Sequence, residues 1–131
     1  MRITSLYAAL GALLLIVLAV RVILQRRRAR VGIHDGGDHV LARRIRAHAN
    51  ATEYLPIGLL LLLLLEANQT QAWLLHVVGI SLIAGRVLHA WGLTRSSAVS
   101  AGRAAGIVLT LLAILLAAGL LIWQYLIFGP R

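Results

Sequence analysis

The residues best suited to chemistry lie in one short segment, RIRAHANATEYLP, which leads into seven consecutive leucines, Leu59 to Leu65. At about 100° per residue, Arg46, Asn50 and Glu53 share one narrow face of a helix. Ionisable groups at membrane depth are costly, so they usually face a bundle interior or a water-filled cavity. The segment therefore predicts a polar pocket. The alternative, a helix end resting on lipid headgroups, suits the first arginines of this helix but not Asn50 and Glu53, which lie deeper.

Two further polar residues lie in the next apolar stretch, where Arg86 and His89 are three apart and share a helix face. Arg86 lies about two turns inside the end of that stretch, so it needs a partner. Glu53 is the one acid at a comparable depth. The sequence therefore predicts an ion pair between Arg86 and Glu53. Glu66 ends the leucine run, and we expect it to be solvated.

The composition is typical of a membrane protein. The chain has 131 residues, of which 60% are hydrophobic and 13% charged, and its mean hydropathy is +0.88. The net charge of +9 comes from arginines at the ends of apolar runs, a membrane pattern, so no basic domain remains to bind nucleic acid. Because the chain has no cysteine, any thiol chemistry must use a thiol that a ligand brings.

Four stretches are long enough to cross a membrane as helices, which takes about 20 residues each. They comprise residues of about 3–24, 40–65, 72–93 and 104–128. The pattern predicts an all-α membrane protein, a four-helix transmembrane bundle in a single domain of residues 1–131. Arginines are concentrated in the first and third loops and their flanks, and the second loop has none. By the positive-inside rule, both termini then face away from the cytoplasm.

The first loop contains HDGGDH, whose side chains can in principle supply nitrogen and oxygen ligands to a metal. The candidate ligands are His34, Asp35, Asp38 and His39. Their spacing fits no structural zinc pattern, and an EF-hand loop would need a glutamate where Arg46 stands. A turn with Asp38 as the N-cap of the second helix explains the segment better. We therefore expect no metal site.

Three segments carry a resemblance to a known family. RIRAHANATEY, then GRVLHAWGL in the third stretch and an arginine entering the fourth, resemble the MAPEG family of membrane-associated proteins in eicosanoid and glutathione metabolism. RVGIHDGG resembles the family's bacterial branch, which implies an inner membrane location. The resemblance covers nearly the whole chain and implies a left-handed bundle assembled as a homotrimer. It also implies glutathione as co-substrate, bound between neighbouring subunits at the cytoplasmic side.

The same resemblance implies which residues form the site. Those of the second helix are Arg46, His48, Asn50 and Glu53. Those of the third helix are Arg86 and His89, and the adjacent subunit offers one of Arg26, Arg27 and Arg28. Arg103 stands within one residue of the arginine that activates the thiol. The residue types suit glutathione, because arginines bind carboxylates bidentately and a guanidinium favours a thiolate.

The chain departs from the family's better-known enzymes at several positions. Those enzymes have an arginine where Ala49 stands, a tyrosine near Leu93, another where Ile107 stands and often a serine where Ala104 stands. Two functions therefore stay open. The first is a glutathione-dependent transferase or peroxidase that attacks a hydrophobic small molecule entering from the lipid, and the second is a non-catalytic, lipid-binding membrane scaffold of the same fold.

Overall fold

A computed structural model describes residues 1–95 and 100–129 of the chain, and that part forms four helices: α1 (Arg2–Ala29), α2 (His39–Ala67), α3 (Ala72–Arg95) and α4 (Ala101–Phe128). Each is long and apolar enough to cross a membrane, and each includes one predicted stretch. The prediction of an all-α, four-helix membrane protein is confirmed. Most of the predicted third loop lies outside the described residues, as does Arg131.

The helices do not pack as a symmetric square. Helices α2 and α3 contact each other and both flanking helices, whereas no Cα atom of α1 lies within 8 Å of one in α4 in the described part of the chain. Polar residues of α2 and α3 are therefore the ones with neighbours on several sides. The mostly apolar α1 and α4 keep long outward faces, which suits contact with lipid.

The leucine run of α2 divides between core and surface. Leu62 and Leu65 are fully buried, whereas Leu60, Leu63 and Leu64 are exposed. A helix that is apolar all round is stable in this way only where its outer face meets lipid or other protein. One stripe of the run therefore packs in the bundle core, and the exposed leucines face the membrane.

We expected Glu66 to be solvated, but in the structure its carboxylate is bonded to another helix. Its carboxylate accepts hydrogen bonds from the backbone N–H groups of Ile3, at 3.0 Å, and Thr4, at 2.8 Å. These are first-turn donors of α1, which lack partners within their own helix. Glu66 therefore caps α1 from another helix, because α1 and α2 are antiparallel neighbours and bring these two ends together.

The first loop has the structure predicted for HDGGDH. Asp38 Oδ1 accepts from the backbone N–H groups of Val40, at 2.8 Å, and Leu41, at 3.1 Å, so Asp38 is the N-cap of α2. Gln25 Nε2 donates to Asp38 Oδ2 at 2.7 Å. The Gln25 hydrogen bond and those from the backbone lower the pKa of Asp38.

Candidate functional site

Arg86 is the centre of a buried polar network that joins three helices. It is only 1% exposed. Its Nε donates to Thr110 Oγ1 at 2.8 Å, its Nη1 to Asn50 Oδ1, and its Nη2 to the carbonyl oxygen of Gly106 at 3.3 Å. No carboxylate of a described residue lies within ion-pair distance of it. The guanidinium is therefore a buried cation that neutral acceptors hold.

The close approach of α3 and α4 makes this network possible. A Cβ atom on Gly106 would lie 2.6 Å from the carbonyl oxygen of Gly85, and one on Gly85 would lie 2.9 Å from that of Gly106. Only glycines allow the two backbones to come so near. Thr110 Oγ1, while accepting from Arg86, also donates to the Gly106 carbonyl at 2.9 Å, so the α4 side of the network is internally satisfied.

Tyr54 packs against the guanidinium, with Arg86 Cζ 4.9 Å from its ring centroid, a distance at which the ring attracts the cation. The sequence had not singled out Tyr54 or Thr110. Tyr54 comes one helical turn after Asn50, and Thr110 is the one polar side chain between Ala104 and Ile122. These two features of the sequence could have identified Tyr54 and Thr110 as candidates.

The predicted ion pair between Arg86 and Glu53 is wrong. Glu53 Oε1 instead lies 3.7 Å from Nη1 of Arg46, two turns away on α2, and these side chains are 51% and 63% exposed. Asn50, between them in sequence, points at α3 and takes the place that we had expected Glu53 to fill. A carboxylate on the outer face avoids the desolvation that burial beside α3 would impose.

His89 is a buried residue of α3 on which charges from three helices act. It is 5% exposed, makes no hydrogen bond to a described residue, and lies within electrostatic range of Arg86, Arg103 and Arg46. We call Arg46, Arg86, Arg103 and His89 the arginine cluster. Its members come from α2, α3 and α4, and the ion pair with Glu53 supplies its one carboxylate among the described residues.

Arg103 lies in the first turn of α4. That turn begins at Ser100, whose Oγ accepts from the backbone N–H of Arg103 at 3.3 Å. The Arg103 side chain is half-buried and makes no hydrogen bond to a described residue. A helix N-terminus and a guanidinium both favour an anion, so this corner of the cluster is the most suitable for negative charge.

The remaining predicted site residues do not join the cluster within one chain. His48 lies about 200° around α2 from Arg46 and makes no hydrogen bond or ion pair with the described residues. Arg26 Nη1 donates to the carbonyl oxygen of His34 at 2.8 Å. Arg27 and Arg28 are exposed and have no such bond, so they remain available to another molecule.

The cluster is suited to binding an anionic ligand. Arg46 and Glu53 are 3.7 Å apart, beyond a direct hydrogen bond, and so keep donors and acceptors for a ligand. The Nδ2 of Asn50 also makes no hydrogen bond to a described residue. Within the described ranges, no group of three or more histidine, aspartate and glutamate side chains is arranged to hold a metal ion.

Comparison with known proteins gives two kinds of match. The sequence model of the MAPEG family matches residues 4–123. Inner membrane protein YecN of Escherichia coli K12 is 43% identical over 90 residues, which are 69% of this chain and 69% of that protein. YecN of Escherichia coli O6:H1 gives the same values. No solved structure matches the chain.

Proposed function

The chain belongs to the MAPEG family, and we propose that it is a glutathione-dependent transferase or peroxidase that acts on hydrophobic electrophiles. We also propose that it resides in a bacterial inner membrane, as the name of its relative YecN says of that protein. The positive-inside rule then puts the arginine cluster at the cytoplasmic side and both termini at the other side.

The observation that carries the proposal is the arginine cluster itself. The charges of Arg86, Arg103 and Arg46 all act on His89, and Glu53 is the acid paired with Arg46. An excess of buried or half-buried cations over anions at membrane depth is costly unless a ligand supplies negative charge. Glutathione carries two carboxylates and, once ionised, a thiolate, so it would neutralise this excess.

The individual groups of glutathione have matching partners in the cluster. Guanidinium groups bind carboxylates with two parallel hydrogen bonds, and Arg46 has free donors. Glu53 would receive the ligand's ammonium, and Asn50 would donate from Nδ2 to a carbonyl or carboxylate oxygen. Arg86 would hold Asn50 in position through their hydrogen bond. Its positive charge would attract the ligand from the buried side of the site.

Arg103 would stabilise the thiolate. A free thiol of pKa about 8.5 is mostly protonated at neutral pH, and a cation together with a helix N-terminus lowers that pKa. Arg103 supplies both features. Its guanidinium is a cation that is not bonded to a described residue, and Arg103 lies in the first turn of α4, at the helix N-terminus. In this mechanism the thiol proton leaves to solvent.

The thiolate then reacts with a molecule that enters from the lipid. In transfer, sulfur forms a bond to an electrophilic carbon, and a leaving group such as chloride departs with the electron pair of its broken bond. In peroxide reduction, sulfur takes the terminal oxygen, the O–O bond breaks and the alkoxide takes a proton to become an alcohol. A second glutathione then displaces the oxygen of the sulfenic acid as water, so that glutathione ends as the disulfide.

A homotrimer would complete the site. The exposed pair of Arg46 and Glu53 stands on the outer face of α2 at membrane depth, where lipid is a poor solvent for charge. A neighbouring copy would cover this face, and Arg27 or Arg28 at the end of its α1 would add a cation. Light scattering corrected for detergent tests the assembly, and a monomer would contradict it.

A non-catalytic scaffold is the second candidate. Leu93 is buried and apolar close to the cluster, where the family's enzymes have a tyrosine nearby. Ala104 follows Arg103 in place of a serine. A site without these hydroxyl groups can bind lipid, or an anionic ligand whose thiol stays protonated, so only the enzyme requires a bound thiolate.

The deciding experiment titrates the ultraviolet absorbance of the thiolate in glutathione bound to purified protein. The wild type should form thiolate at lower pH than free glutathione and should conjugate a chlorinated dinitrobenzene. Arg103→Ala should raise the thiol pKa and slow turnover by about 10²–10³-fold while it largely retains glutathione. Arg2→Ala, at the far end of the bundle, is the charge-matched control. Binding without thiolate formation, or no glutathione binding at all, would contradict the enzyme and favour the lipid-binding scaffold.

A further inference from the structure

A groove at the end of α1 is separate from the arginine cluster. It has a volume of about 370 Å³ and is lined by Ile23, Arg26, Arg27, Arg30, Val31 and Gly32. We call it the α1 groove. Ile23, Arg26 and Arg27 belong to one side of α1, and Arg30 is the residue that ends this helix. The remaining two belong to the loop that folds back from the helix end.

Contacts within the first loop hold the walls of the groove in place. Arg26 Nη1 donates to the carbonyl oxygen of His34 at 2.8 Å. The backbone N–H of Val31 donates to the carbonyl oxygen of Arg26 at 3.1 Å. The Val31 side chain packs over Gly36, where a Cβ atom would lie 2.6 Å from Val31 Cγ2. Gly36 has a φ of +57°, which glycine adopts without steric cost. These contacts fix the loop wall of the groove, which is a shallow, open depression.

The groove carries positive charge that the protein does not neutralise. The side chains of Arg27 and Arg30 are exposed and make no hydrogen bond or ion pair with a described residue. The two acids of the loop are occupied, because Asp35 accepts from the Gly37 N–H and Asp38 caps α2. Between residues 21 and 46 the chain has eight arginines and two aspartates.

The conformation of Arg30 also favours a role for its side chain. Arg30 is the C-cap of α1 and has a φ of 54° and a ψ of 39°, the left-handed conformation. Glycine usually occupies this kind of position, because other residues adopt it at a steric cost. Here the position instead presents a guanidinium to the groove.

An apolar surface continues from the groove along α1. Ile23 lines the groove, and the exposed side chains of Val20 and Ile16 lie on the same helix toward the middle of the membrane. A free inorganic anion would use the arginines alone. A molecule with a phosphate and hydrocarbon chains would use both surfaces.

We propose that the α1 groove binds the phosphate of an anionic phospholipid, between Arg27 and Arg30, with the acyl chains along α1. Basic residues next to a membrane attract anionic headgroups, and the groove makes this attraction local. The proposal does not depend on glutathione. Arg28 does not line the groove, so it remains free for a neighbouring copy.

The test measures lipid retention by native mass spectrometry of the purified full-length protein in mixed micelles. Phosphatidylglycerol should be retained in preference to phosphatidylethanolamine. Arg27→Gln and Arg30→Gln should each weaken this retention about fivefold, the effect of one basic residue at an anionic surface. Arg28→Gln removes the same charge from the same helix end without touching the groove, and it should leave retention unchanged. Inorganic phosphate at equal concentration should not displace the lipid.

Three results would overturn the proposal. Equal losses in all three variants would mean diffuse attraction by the whole basic surface rather than a site. Absence of a preference for phosphatidylglycerol would mean that charge is not recognised. Displacement by inorganic phosphate would mean a site for small anions. Thermal unfolding of each variant in detergent, expected to match the wild type because these side chains are exposed, shows that the fold is intact.

Discussion

Arg86 donates a hydrogen bond to Asn50. We predict that replacing Asn50 lowers the free energy of unfolding more than replacing Arg86 does. In Asn50→Leu, the guanidinium stays buried at 1% exposure but loses the acceptor for Nη1. In Arg86→Met, the buried charge itself disappears. Removing one acceptor of a buried charge costs more than replacing the charge with an apolar group of similar size.

The magnitudes follow from the contacts. A hydrogen bond to a charged group contributes about 1.5–3 kcal/mol, so we expect Asn50→Leu to lower the free energy of unfolding by about 2–3 kcal/mol. Arg86→Met leaves one acceptor unsatisfied, Asn50 Oδ1, because Thr110 and Gly106 still bond to each other at 2.9 Å. The relief of desolvation offsets that loss, so we expect about 1 kcal/mol.

The double variant Asn50→Leu/Arg86→Met should be more stable than Asn50→Leu alone, because both partners are then apolar. The assay is unfolding by dodecyl sulfate in mixed micelles, analysed as a double-mutant cycle. The expected coupling is about 2 kcal/mol. Ser81→Ala on α3 is the control and should have little effect. Effects that add to within about 0.5 kcal/mol would mean that the two side chains do not interact, and would refute the assigned network.

Three further predictions concern packing and caps. Gly106→Ala should cost about 1–3 kcal/mol, as overpacking does, because its Cβ would meet the α3 backbone; Gly119→Ala, with nothing within 4 Å of its Cβ, should stabilise slightly, and thermal unfolding that fails to separate the two would contradict the close helix crossing. Glu66→Gln should speed hydrogen exchange of the first turn of α1, since it weakens the acceptor of two N–H groups there; unchanged exchange would remove this cap. Because the pKa of Asp38 is lowered, its stabilisation is present above the unfolded-state pKa of about 3.9 and is lost as the pH falls through the lower folded-state pKa. Exchange at the start of α2 should accelerate in that acidic range in the wild type, and Asp38→Asn should remove this pH dependence.

Local sequence rules were sufficient for the helices and for the cap that begins α2. Each crossing helix was visible as an apolar stretch, because a helix in lipid must satisfy its backbone internally and needs about 20 apolar residues. Asp38 was recognisable as an N-cap because capping depends on adjacent residues. The family resemblance, carried by short motifs, is confirmed by the match over residues 4–123.

The partner of Arg86 was decided only by the tertiary structure. Asn50 and Glu53 share a helix face within about 60°, and the helical period alone does not tell which one points at α3. The choice depended on the rotation of α2 and on the glycine contact that brings α4 near enough to offer Thr110 and Gly106. Since a membrane helix is stable as a helix at any rotation about its axis, its sequence determines that it crosses the membrane, whereas packing against its neighbours determines which of its polar side chains meet.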